Sequence, residues 1–101
     1  MKRTKNMVYA PSTESRELFL YATNDGDLYR SMISPVIASM KKKVAKGIYD
    51  AGKAQDAFYR IATEASNHYY RDFGYKFSVQ DRFTAAVEMA DYYTEEIFYT
   101  V

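Results

Sequence analysis

The residues best suited to chemistry in this chain lie on one predicted helix. His68 is the only histidine, and Glu64 and Asp72 stand four residues before and after it. On a helix these side chains share one face, so they could offer three donors to a metal ion. The outer two lie about 12 Å apart along the axis, so Glu88 or Asp91 of another helix would have to contribute. A stabilising Glu64–His68 pair explains the spacing as well, and we expect no metal and no cofactor.

Other catalytic arrangements find little support in the sequence. None of the seven serines lies in a Gly-x-Ser-x-Gly context, and the absence of cysteine excludes a thiolate nucleophile. Carboxylates follow one helix at positions 88, 91, 95 and 96, where an acidic solvated face accounts for them. The four glycines are typical of turns and helix caps rather than of a phosphate-binding loop. We therefore predict that the protein is not an enzyme.

A basic cluster marks the end of one predicted helix and comprises Lys41, Lys42, Lys43 and Lys46. Such a cluster could bind the phosphates of a nucleic acid. Lysines in the last turn of a helix also stabilise the helix dipole without any ligand. Since a pI near 7.9 is low for a nucleic-acid-binding domain, nucleic acid is the alternative partner rather than the first choice.

Tyrosine is unusually frequent, with eleven copies beside six phenylalanines and no tryptophan. A core of this size cannot easily hide so many phenols, because each hydroxyl needs a polar partner. Several should therefore lie on the surface, where tyrosine is a favoured interface residue. Tyr59, Tyr70 and Tyr92 fall beside the apolar stripes of their helices, and we predict that they bind a partner.

The formal charge of +1 is unevenly distributed along the chain. Residues 1–53 carry five more cations than anions, whereas residues 54–101 carry four more anions than cations. Either the two halves attract each other within one domain, or they form one basic and one acidic binding surface.

Apolar residues at three- and four-residue steps predict the elements that position these side chains. Stripes follow residues 28–44, 54–73 and 79–97, with Phe58, Ile61, Phe83 and Val87 expected in their shared core. The predicted fold is all-α, a small bundle of three to four amphipathic helices over residues 12–101, preceded by a flexible arm at residues 1–11. Caps are expected at Ser12 or Thr13, Asp50, Ser78 and Gly74.

Two points of local structure stay open. Residues 17–22 favour a helix, but their composition also suits a strand. Pro35 either kinks one long helix or follows a Ser34 cap as the first residue of a new helix.

No apolar run reaches the length of a membrane span, and the basic N-terminus lacks the apolar region of a signal peptide.

Several short segments resemble small uncharacterised proteins encoded by bacteriophages and other mobile elements. These are residues 24–30 (NDGDLYR), 46–50 (KGIYD) and 77–79 (FSV), within a resemblance over roughly residues 16–97. The resemblance implies that the protein is located in the cytoplasm of a bacterial host cell. Since small phage proteins without catalytic motifs usually act by binding, we expect a protein that engages and occludes a host protein, such as a component of a defence system. Association with a second copy of the chain is left open.

Overall fold

The computed structural model describes residues 9–99, and within that range it contains helices and connecting loops but no strand. The predicted all-α class is confirmed. The helices are α1 (Thr13–Asn24), α2 (Gly26–Leu28), α3 (Ser34–Ala45), α4 (Ala51–Phe73), α5 (Val79–Tyr92) and α6 (Thr94–Phe98), with a π-helical turn at Tyr29–Ile33 between α2 and α3. Residues 17–22 belong to α1, as favoured. Most of the expected arm lies outside the described residues.

The number of helices is larger than the three to four expected. The segments α2, the π-helical turn and α3 follow one another without a break and count as one helix, so residues 9–99 form five helices. The additional helix is α6, because the predicted stripe over residues 79–97 is interrupted at Tyr93. Its backbone angles, φ −95° and ψ 9°, lie outside the α-helical region and separate α5 from α6.

Pro35 is accommodated inside a continuous helical segment. A proline lacks the backbone N–H, and its ring clashes with the carbonyl four residues earlier in a regular α-helix. Here the preceding turn is π-helical, and the Ser34 N–H donates to the carbonyl of Tyr29, five residues earlier. Ser34 has helical backbone angles, and α3 begins without a side-chain cap. The wider turn therefore allows the helix to pass the proline without a new start.

The helix ends follow local sequence signals. The hydroxyl of Ser12 accepts the backbone N–H of Ser15, Asp50 accepts those of Gly52 and Lys53, and Ser78 accepts that of Asp81. These side chains satisfy backbone donors that the first turn of a helix leaves unpaired. Gly74 ends α4 in the left-handed region at φ 74°, a conformation that glycine adopts at little cost.

The core forms where α4 packs against α5 and α1, while α3 packs mainly against α6. Its largest fully buried side chains are Phe58, Leu18, Leu28, Ile33, Ile61, Met89 and Ile97. None of the helices in the described part of the chain is both long enough and apolar enough to cross a bilayer.

The predicted core was right on α4 and wrong on α5. Phe58 and Ile61 are completely buried, but Phe83 and Val87 are only partly buried. In their place, α5 buries Thr84, Ala85, Ala86 and Met89. α4 also buries four alanines, and small buried side chains allow helices to approach each other closely. The hydrophobicity of Phe83 and Val87 therefore indicated a neighbouring face of α5.

Tyr93 joins the core at the junction of α5 and α6. Its ring is almost completely buried and stacks on Phe58, with ring centres 6.0 Å apart and planes 9° from parallel. Burial raises the pKa of the Tyr93 phenol to about 12, with Tyr92, Tyr29 and Glu96 adding smaller effects of the same sign. Ionising this phenol inside the fold is therefore unfavourable.

A pair of phenylalanine substitutions tests the corrected core. We expect Phe58→Ala to lower the free energy of unfolding by about 3–5 kcal/mol, because a buried ring is replaced by a cavity. Phe83→Ala should lower it by only about 1–2 kcal/mol, since less apolar surface leaves the protein interior. Urea unfolding of both variants measures the difference. Equal losses would show that Phe83 is as deeply buried as Phe58.

The buried phenol predicts a loss of stability at high pH. A phenol whose pKa is higher in the folded state than in the unfolded state stabilises the fold below the unfolded value, near 10. That contribution is lost as the pH rises through the folded value of about 12. Urea midpoints measured from pH 9 to 12 should fall more steeply for the parent than for Tyr93→Phe. If the urea midpoints of the parent and of Tyr93→Phe fall in parallel with pH, the raised pKa of the Tyr93 phenol is contradicted.

Candidate functional site

Five aromatic side chains gather where α4 ends and the following loop begins. They form a surface that we call the aromatic face, composed of Tyr69, Tyr70, Phe73, Tyr75 and Phe77. Ring centres are 4.6 Å apart for Tyr69 and Phe73, and 4.9 Å apart both for Tyr69 and Phe77 and for Tyr75 and Phe77. These separations lie within the range of favourable ring pairs.

Within the aromatic face, a buried base carries exposed rings. Phe77 is only 4% exposed, whereas Phe73, Tyr70 and Tyr75 are 65%, 49% and 45% exposed. Phe73 has no hydroxyl group that could make its exposure to water favourable. Phe73 and Tyr75 are joined through Tyr69, whose ring centre lies 4.6 Å from that of Phe73 and 6.4 Å from that of Tyr75. Exposed rings grouped in this way are typical of an interaction site.

Hydrogen bonds between α1 and α4 hold the inner ring Tyr69 and the ring of Tyr21 beside it. The Tyr69 hydroxyl donates to Glu17 at 3.5 Å, and the Tyr21 hydroxyl donates to Asp72 at 3.0 Å. The Tyr21 ring stands edge-on to Tyr69, with centres 5.0 Å apart. Burial raises the pKa of both phenols, and the neighbouring carboxylates add to the shift. Both phenols therefore remain neutral hydrogen-bond donors at physiological pH.

Arg82 of α5 fixes the loop that carries Tyr75 and Phe77. One end of its guanidinium donates to the Phe77 carbonyl at 3.1 Å, and the other approaches the Tyr59 hydroxyl at 3.5 Å. The Gly74 turn and the Ser78 cap bound the same loop on either side. Nothing in the local sequence singles out Arg82, because its partners lie on the loop and on another helix.

The three tyrosines predicted to bind a partner do not lie together. Tyr70 belongs to the aromatic face, where the Lys76 ammonium lies 5.3 Å from its ring centre. Tyr59 is partly buried and packs against the core, with the Arg82 guanidinium over its ring, so less of this ring is available to a partner than the sequence indicates. Tyr92 is 63% exposed but packs edge-on against Phe19, next to α1.

A sequence signal for the aromatic face does exist. Five aromatic residues fall within the nine positions from 69 to 77, on both sides of Gly74. A search for apolar stripes does not find this signal, because helical periodicity stops at the end of α4 and does not include the loop that follows.

The basic cluster at the end of α3 divides between two environments. Lys41, Lys42 and Lys46 are exposed, whereas Lys43 is partly buried and faces a groove beside α4. Lys42 and Lys43 occupy the last turn of α3, where cations stabilise the helix dipole.

Of the three possible metal ligands Glu64, His68 and Asp72, only the first two contact each other. His68 Nε2 lies 3.2 Å from Glu64 Oε2, the arrangement that the four-residue spacing predicted. Asp72 instead accepts the Tyr21 hydroxyl. Across residues 9–99, no group of three or more metal-ligating side chains comes together.

Removing the Arg82 guanidinium, which bonds the Phe77 carbonyl, should disturb the aromatic face. We expect Arg82→Ala to lower the free energy of unfolding by about 1–3 kcal/mol, because the Phe77 carbonyl loses its donor. The near-ultraviolet circular dichroism of the tyrosines should weaken at the same time. Arg60→Ala, a change at an exposed arginine of α4, is the control. An unchanged spectrum for Arg82→Ala would mean that the loop holds its position without the guanidinium.

The chain matches no known protein family, no curated protein and no solved structure. The interpretation of the aromatic face therefore depends on the geometry of this protein.

Proposed function

We propose that this chain is a non-enzymatic binding protein that docks onto another protein through its aromatic face. The observation that supports the proposal is the exposure of Phe73 and Tyr75, whose rings pack on the inner rings of Tyr69 and Phe77. Tyrosine and phenylalanine are enriched at the centres of protein interfaces. They supply a large contact area and have only two side-chain torsions to immobilise.

The polar surroundings of the aromatic face favour a protein over a nucleic acid as the partner. Exposed rings beside Lys76 could in principle stack on bases. Two carboxylates, Glu17 and Asp72, lie against the rings Tyr69 and Tyr21, however, and they would repel a phosphate backbone. A protein surface with an apolar pocket for Phe73 and a carboxylate near Lys76 fits this arrangement better.

The resemblance to proteins of bacteriophages and mobile elements supports a bacterial setting for this binding. We propose that the partner is a protein of the host cytoplasm, for example a component of a defence system. The small domain would act in stoichiometric amounts by covering a surface that the partner needs for its own activity. No covalent step is required, since inhibition by occlusion needs only affinity.

Matched substitutions in the exposed rings test the proposal. The tagged protein is used to capture a partner from the bacterial host, and the partner is then purified and titrated with each variant. We expect Phe73→Ala and Tyr75→Ala each to weaken binding by about five- to thirtyfold, as truncation of an interface anchor does. Both should melt like the parent, because their rings are largely exposed.

Tyr99→Ala is the matched control, since Tyr99 is an exposed aromatic residue outside the aromatic face. Its affinity should stay within about twofold of the parent. Equal affinity for all three variants would overturn the proposal. So would sedimentation data in which the parent forms dimers that Phe73→Ala abolishes, because a second copy would then cover the aromatic face.

A further inference from the structure

A second surface feature lies between α3 and the first half of α4. Because α3 packs mainly against α6 and α4 mainly against α5, the two helices leave a groove of about 420 Å³ between them. This volume is within the range of small-ligand sites. The walls combine apolar and cationic side chains, with Pro35, Val36 and Met40 from α3 and Ala57 from α4 forming the apolar part.

Cations from both helices line this groove. Lys43 comes from α3, and Lys53 and Arg60 come from α4, while Asp56 is the one carboxylate among the lining residues. The lining therefore carries a formal charge of +2 at neutral pH. This excess of cations over carboxylates gives the groove a positive potential, which a bound anion would neutralise.

We propose that this groove binds the phosphate group of a small phosphorylated ligand. A phosphate monoester carries close to two negative charges at neutral pH, which matches the charge of the lining. Arg60 offers a planar pair of donors and the lysines offer compact ammonium groups, both of which suit phosphate oxygens. The apolar wall formed by Val36 and Met40 would hold the remainder of the ligand.

The groove is a separate site from the aromatic face. Ala57 in the groove and Tyr70 in the aromatic face are thirteen residues apart on α4, which corresponds to about 20 Å along the helix axis. The exposed lysines at positions 41, 42 and 46 are not among the groove-lining residues. A phosphate site in the groove and phosphate contacts by the exposed lysines therefore predict different mutational patterns.

Calorimetric titration of the full chain tests the proposal with four probes. These are inorganic phosphate, adenosine monophosphate, succinate as a dianion without phosphorus, and a single-stranded oligonucleotide without terminal phosphates. We expect adenosine monophosphate to bind more tightly than inorganic phosphate, because it also uses the apolar wall. Succinate and the oligonucleotide should bind at least about tenfold more weakly, since neither presents a phosphate monoester.

Single substitutions then assign the site. Lys53→Ala and Arg60→Ala should each weaken binding of adenosine monophosphate by about tenfold, since each removes one charge-assisted contact. Arg60→Lys should retain part of the affinity, while Lys41→Ala and Lys46→Ala should leave it within about twofold. Phe73→Ala should also have no effect, which separates this proposal from the function of the aromatic face.

Three results would overturn the inference. The first is the absence of measurable binding of both phosphate and adenosine monophosphate. The second is binding of succinate as tight as that of adenosine monophosphate, which would indicate only a general anion effect. The third is preferential binding of the oligonucleotide with losses at Lys41 and Lys46, which would assign phosphate contacts to the exposed lysines and a nucleic acid as the ligand.

Discussion

Helix α4 packs against α5 and α1, and the burial of Phe58 and Ile61 in that contact holds the other elements in place. With 23 residues, α4 is the longest helix of the described chain and extends along both surface features. Its first half forms one wall of the groove that contains Lys53 and Arg60, and its last turns carry three of the five residues of the aromatic face. Substitutions that weaken the packing of α4 against α5 and α1 would therefore disturb both surface features together.

The aromatic face is suited to binding because its rings are already held in position. Phe77 anchors it in the core, Arg82 fixes the loop, and Glu17 holds the Tyr69 hydroxyl. Binding of a partner would then cost little conformational entropy, because the rings around Phe73 are already ordered. The same exposed rings also promote nonspecific association when no partner covers them.

Local sequence signals were sufficient for the capped helix ends, but not for the break at Tyr93 or for contacts between helices. Ser78 was predicted as a cap because its hydroxyl needs only a backbone N–H three residues away. Phe83 was placed in the core by its hydrophobicity, whereas the face of α5 that is buried includes Ala85 and Ala86 instead. Tyr59 was placed on the surface, since nothing near it in the sequence shows that Arg82 covers its ring. Of the three predicted tyrosines, Tyr70 alone lies in the aromatic face, because a helical stripe does not register the loop that follows.

Site-specific crosslinking in a bacterial host tests most directly whether the aromatic face contacts a protein. A photoreactive phenylalanine analogue would replace Phe73 in one variant and Tyr99 in another, two exposed aromatic positions of which only the first belongs to the aromatic face. We predict that irradiation links position 73 to one host protein and that position 99 gives no such product. Irradiation that gives no protein adduct at position 73, or the same adduct with equal yield at position 99, would contradict the account.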